Sequence, residues 1–263
     1  MLDVTVSSGA LARGGDVHGE VRIDPGGSAA NVAVWAGAAG ASVRLYGCVG
    51  DDEAGAILRA ALAQRGVDPH VVVAPGSRSG AMLVVTEAGG PSMGAHPGAN
   101  SRRGTFPLPP LQANAVFVSG YTLFDTATEA TARAALAGAR APVVAIEAGS
   151  WPLVARQGAA WFLDATRDAT LLLANEREAE ALTGLRDEAA ALALGARYAM
   201  AAVKLGARGA LLAVAGHVHH AAAPAVEEVD ATGAGDAFDG VLLAALALGA
   251  PPAEALERAC AAG

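Results

Sequence analysis

The stretch Val229-Asp230-Ala231-Thr232-Gly233-Ala234-Gly235-Asp236-Ala237-Phe238-Asp239-Gly240 carries the strongest signal in the chain. Gly233, Ala234 and Gly235 form a tight turn that opens a helix running through Ala237 to Leu248. Successive backbone N–H groups there point outward at the positive end of the helix dipole, a geometry that holds an anion without any lysine. Asp236 falls in the first turn, where the dipole keeps a carboxylate ionised. A carboxylate so placed can take the proton from an attacking hydroxyl while the amides hold charge developing on a phosphoryl group. The bare G-x-G-D pattern also reads as an ordinary helix start, with glycine at the turn and aspartate in a favourable position.

Upstream of this element, short apolar runs alternate with Ala-rich helical windows. Strands are predicted over Val43 to Val49, Ala115 to Ser119, Val143 to Glu147, Thr170 to Ala174, Ala199 to Leu205 and Ala210 to Ala215. Helices are predicted near Ala29 to Ala39, Ala54 to Arg65, Thr126 to Ala139, Glu176 to Thr183 and Glu188 to Arg197. Near-continuous apolar strands with helical crossovers imply an α/β fold, a mostly parallel sheet covered on both faces, with ligands at the strands' C-terminal ends. Two Gly-rich stretches break the rhythm, Val4 to Asp24 and Val71 to Asn100. They read as hairpin material outside the main sheet, a flap or small second sheet too short for a core of its own.

Composition and motifs narrow the function by exclusion. The chain has 263 residues, is 53% hydrophobic and carries a formal charge of −8, so it is neither disordered nor a basic nucleic-acid platform. Two cysteines, Cys48 and Cys260, give no disulfide framework or zinc spacing, which fits a reducing cytoplasm. No apolar run is long enough to span a bilayer, and no signal-peptide pattern opens the chain. Lys204 is the single lysine and is followed by Leu205, which excludes a Walker A loop. The protein-kinase, dinucleotide, G-x-S-x-G and H-E-x-x-H signatures are absent as well.

The Asp230 to Phe238 pattern resembles the C-terminal signature of the ribokinase-like (PfkB) carbohydrate kinases. Gly26-Gly27-Ser28-Ala29-Ala30-Asn31-Val32-Ala33 is similar to that family's N-terminal G-G-x-x-x-N-x-A element. Asn175 and Glu178 resemble its N-x-x-E motif, and Lys204-Leu205-Gly206-Ala207-Arg208-Gly209 its K-x-G-x-x-G loop. Gly50-Asp51-Asp52 and Gly98-Ala99-Asn100 match the pattern too, so the resemblance runs from Asp3 to the last residue. Apart from that context, Asn31 belongs to a plain helix start, and Asn175 with Glu178 to an N-cap and a solvated glutamate.

The resemblance implies a single ribokinase-like domain over 1–263, with a small β-rich lid made from about 4–24 and 71–100 that closes over the site and excludes water. It implies ATP-dependent phosphorylation of a hydroxyl on a small sugar or sugar-like substrate. Asp236 would be the catalytic base and Gly233, Ala234 and Gly235 the anion hole, with Asp3, Gly27 and Asn31 as sugar ligands. Asn175, Glu178, Lys204, Gly206 and Gly209 would bind the nucleotide, with Asn175 and Glu178 organising Mg2+ through water. Asp230 and Thr232 align with residues that hold a monovalent cation such as K+. A homodimer is expected by the same analogy. Two alternatives stand beside this reading: a nucleoside kinase on the same fold, and a non-catalytic sugar- or nucleotide-binding relative.

The family begins with a strand carrying a glycine before the Asp3 position and continues beyond Gly263, so the chain is expected to be short at both termini, with Met1 internal to a longer gene product. Elsewhere the plain readings stand. His217, His219 and His220 suit a polar hairpin edge, and His96 a loop without a ligand, although it lies close enough in sequence to Gly98 to reach a substrate. Cys48 reads as an inert small hydrophobe, and Trp35, Trp151 and Trp161 as core or surface anchors.

Overall fold

The computed structural model describes residues 1–7, 14, 16, 18–87, 90–102, 108–226 and 231–263. In chain order the first elements are β1 (Leu2–Ser7), β2 (Glu20–Pro25), α1 (Ser28–Ala38), β3 (Arg44–Gly50), α2 (Glu53–Gln64), β4 (Asp68–Ala74), β5 (Ala81–Glu87) and β6 (Gly90–His96). There follow β7 (Ala115–Val118), α3 (Glu129–Gly138), β8 (Val143–Glu147), α4 (Trp151–Gln157), α5 (Ala159–Ala165), β9 (Leu171–Asn175) and α6 (Glu176–Thr183). The chain closes with α7 (Asp187–Gly195), β10 (Met200–Lys204), β11 (Ala210–Val214), β12 (His217–Ala221), α8 (Ala234–Ala247) and α9 (Pro252–Ala262). Two compact units divide it: residues 1–30 with 44–107, and residues 31–43 with 108–263.

The larger unit is built on a six-stranded sheet in the order β12-β11-β10-β9-β8-β7. Strands β7 to β10 run parallel, while β11 and β12 return as antiparallel neighbours at one edge. Every residue of β8 is buried, as expected for an apolar strand covered on both faces. Side-chain alternation sends Val144 and Ile146 into one layer with Leu136, Phe162 and Leu194, and Val143 and Ala145 into the other with Phe238, Leu242 and Leu256. Thus α3 to α7 cover one face, and α8, α9 and the Asn31-to-Ala38 part of α1 cover the other.

The smaller unit holds a four-stranded sheet, β2-β1-β5-β6, drawn from the Gly-rich stretches that break the helical rhythm. Here β1 pairs antiparallel with β2 and parallel with β5. The run predicted over Val43 to Val49 does form a strand, β3, but outside the main sheet: it pairs with β4 alone. An apolar run announces a strand without naming its partner, and the short α2 crossover brings β4 beside it. The start of the Val71 to Asn100 stretch therefore belongs to this parallel pair and not to a hairpin. Sequence periodicity also passes over α4, α5 and α9; α4 begins with Pro152 in its first turn, where a missing N–H costs nothing.

Candidate functional site

Four parallel strands of the larger unit end in polar residues at one edge. Glu147 is the last residue of β8, Asn175 of β9 and Lys204 of β10, and Ser119 directly follows β7. Ser119 Oγ donates to Glu147 Oε1 at 2.7 Å. Asn175 caps α6 with Glu178 in a reciprocal box: the Glu178 amide donates to Asn175 Oδ1, and the Asn175 amide to Glu178 Oε2, each at 2.9 Å. Lys204 Nζ donates to Oδ2 of Asp239 on α8 at 2.7 Å.

These groups sit in a low-dielectric pocket of charge. Burial raises Glu178 above the usual carboxylate range, opposed by the Asn175 backbone and by Lys204. Burial pushes Asp239 up to about 7 against the attraction of Lys204. For Lys204, burial acts downward, but the Asp239 carboxylate outweighs it, helped by Glu147 and Glu178, and the ammonium stays charged. Tyr121, following β7, is pushed up to about 12 by burial and by Glu147, Glu178 and Asp236. One ammonium thus faces several carboxylates, a surplus of negative charge suited to a cation.

Above this edge α8 begins. Gly233 is its N-cap at φ 81°, a left-handed conformation that a side chain would strain. The Ala234 amide closes a turn on the Ala231 carbonyl at 3.2 Å, and the first helical bond runs from Ala237 to Gly233 at 2.9 Å. The amides of Ala234, Gly235 and Asp236 thus precede the helical ladder at the start of α8. Asp236 Oδ2 accepts from Asn31 Nδ2 at 2.9 Å, which joins α8 to α1. Thr232 is exposed; Asp230 lies outside the described residues.

In the smaller unit, β1 presents Asp3 against the turn after β2. A Cβ on Gly26 would fall 1.8 Å from Asp3 Oδ2, so only glycine lets the carboxylate lie there. Asp3 Oδ1 is buried without a hydrogen-bond partner among the described residues, and burial raises this carboxylate above its usual range. A buried acceptor of this kind is satisfied when a ligand hydroxyl reaches it. Beside it the Met1 ammonium donates to the Gly26 carbonyl at 2.8 Å, and Gly27 takes φ 101°.

A family model described as pfkB family carbohydrate kinase matches residues 9–263. The chain belongs to that family. Solved structures agree on a ribokinase-like fold. The adenosine kinase of Sinorhizobium meliloti is 21% identical with TM-score 0.86, covering 100% of this chain and 89% of its own. The fructokinase of Vibrio cholerae is 25% identical with TM-score 0.79, over 98% of this chain and 93% of its own. The aminoimidazole riboside kinase of Salmonella enterica, solved with aminoimidazole riboside and an ATP analogue, is 26% identical with TM-score 0.77, over 99% and 89%. No curated protein matches the chain.

Among residues that resemble pfkB-family positions, several hold the fold together. A Cβ on Gly209 would fall 1.9 Å from the Ala221 carbonyl, so this glycine lets β12 close on the loop after β10. Gly206 opens the 3-10 turn there, and Arg208 ties it to Glu176 at 2.8 Å and Asp187 at 2.7 Å. Asp52 caps α2 and accepts from both the amide and the hydroxyl of Ser79. His217, His219 and His220 lie on the edge strand β12, His96 is exposed at the end of β6, and no group of three or more His, Cys, Asp or Glu side chains that could hold a metal occurs among the described residues. Sequence reading passed over Ser119, Glu147 and Asp239. Two signals were available: a glutamate closing the otherwise apolar run VVAIE, and an aspartate inside the apolar helix AFDGVLL.

Proposed function

We propose that this pfkB-family chain transfers the γ-phosphoryl group of ATP to a hydroxyl of a small sugar or sugar-like molecule. The observation that carries the reading is the Asn31–Asp236 contact at the start of α8, which holds a carboxylate beside first-turn amides. Asp236 takes the proton of the acceptor hydroxyl, and the amides of the Gly233-Ala234-Gly235 turn hold charge on the moving phosphoryl. Asn31, Gly27 and Asp3 serve substrate hydroxyls, with the open lone pairs of Asp3 Oδ1 accepting one of them. The Gly206–Gly209 loop lies along the nucleotide.

Mg2+ suits the donor set at the strand edge: hard oxygens, the buried carboxylates of Glu147 and Glu178, and no full protein cage among the described residues, so that phosphates and waters complete the shell. Glu178 and Asn175 would hold it through water. When bound, the ion neutralises charge on the phosphates. Thr232 and Asp230 are the residues to examine for K+.

A nucleoside acceptor is the second reading. It is favoured by Tyr121 and Trp151, 49% and 44% exposed after β7 and β8, which offer ring faces to a base. ADP release measured against a panel of sugars, sugar acids and nucleosides, with and without K+, tests both. Release with sugars supports the first reading and release with nucleosides alone the second; ATP binding without release from any acceptor marks a non-catalytic relative.

For partners, we infer a homodimer through the smaller unit, where Val21, Ile23 and Leu83 expose an apolar sheet face. The substitution Ile23→Asp should shift the sedimentation coefficient to that of a monomer. No helix among the described residues is long and apolar enough to cross a membrane.

A further inference from the structure

Asp239 is fully buried in the second turn of an apolar helix, and its Oδ1 has no hydrogen-bond partner among the described residues. Lys204, closing β10, is the sole lysine of the chain and donates to the other oxygen at 2.7 Å. The same ammonium lies 5.9 Å from the Phe238 ring centroid and 3.5 Å from where a Cβ on Gly235 would stand. It therefore meets α8 at Phe238 and Asp239, within one turn of Asp236. Glu147 on β8 and Glu178 on α6 are the other charged groups facing it.

A buried ion pair gains little net stability, and an apolar pair of the same volume often replaces it at no cost. What such a pair supplies is position: an ammonium that reaches one oxygen at 2.7 Å leaves the helix a single register against the sheet. We propose that Lys204 and Asp239 are positioning residues, which pin the first turns of α8 to the end of β10 and so place Asp236 against Asn31. Lys204 is then spent on the protein itself and is not a ligand of the nucleotide. The inference rests on the kinase reading above for its kinetic consequence, but not for its structural one.

The test uses the full chain as wild type, K204M, K204R, D239A, D239N and the K204M/D239A pair. ATP affinity is measured by equilibrium titration, turnover with the best acceptor of the panel, and the side-chain amide resonance of Asn31 by NMR, assigned through its loss in N31A. K204M and D239A should each lower kcat by about tenfold or more, the cost of a misplaced base, with ATP affinity held within about twofold. D239N keeps an acceptor for Lys204 and should recover most of that loss, and K204R part of it. The Asn31 resonance should move in K204M and D239A and stay near its wild-type position in D239N.

A roughly tenfold loss of ATP affinity in K204M with kcat intact would make Lys204 a nucleotide ligand and overturn the proposal. So would an unmoved Asn31 resonance in D239A. If K204M fails to fold because a buried carboxylate loses its partner, D239A and K204M/D239A decide by the same readouts. A wild type that phosphorylates nothing counts against the kinase reading alone, since the Asn31 resonance still reports whether the pair sets the position of Asp236.

Discussion

Asn31 and Asp236, 205 positions apart, share a hydrogen bond of 2.9 Å in which the Asn31 amide donates to the Asp236 carboxylate. The contact brings Asn31 of one signature element to Asp236 of the other and aims one oxygen of that carboxylate.

If Asp236 is the base, Asp236→Asn should lower kcat by about 10²-fold or more while ATP affinity changes little, because shape and hydrogen bonding survive and basicity does not. Asn31→Ala should cost about tenfold through the loss of orientation. Turnover within twofold of wild type in Asp236→Asn would remove the assigned role.

Burial holds the proton on Asp239 up to about 7, and raises Glu178 and Asp3 in the same direction. Each binds its proton more tightly folded than unfolded, and for Asp239, between the unfolded carboxylate range near ~4 and about 7, the contribution to stability falls as pH rises. The Tm advantage of wild type over Asp239→Asn should therefore grow as pH is lowered from 7 toward 5. A difference that stays constant over that window would mean Asp239 is ionised throughout.

Glu178 has two tasks that a pair of variants separates. Glu178→Gln keeps the reciprocal cap with Asn175 and should leave Tm near wild type, yet raise the Mg2+ concentration for half-maximal rate several-fold. Glu178→Ala loses the cap as well, at about 1 kcal/mol. Equal Mg2+ dependence in wild type and Glu178→Gln would take the metal away from this residue.

Gly26→Ala forces a methyl into the space of the Asp3 carboxylate, 1.8 Å from Oδ2. The acceptor KM should rise about tenfold or more while ATP affinity is kept, as for loss of a substrate hydrogen bond to a charged group. Asp3→Asn should show the same pattern more weakly. An effect on ATP alone would place Asp3 outside the acceptor site.

Local chemistry made much of this molecule legible in its sequence. The Gly233 turn, the Asn175 N-cap of α6 and the apolar runs of β7 to β10 depend on residues a few positions apart, and each stands where the pattern predicts, whereas Glu178, read as solvated, is buried. The polar hairpin edge at His217 to His220 was readable for the same reason. Tertiary structure alone decided that β3 leaves the main sheet for β4 and that Lys204 turns to Asp239. It also gathered Ser119, Glu147 and Asp239, which belong to no motif, at one edge of the larger unit's sheet. A strand's partner and a buried charge's partner are chosen by register and desolvation between distant segments, and those energies exist only once the chain has closed on itself.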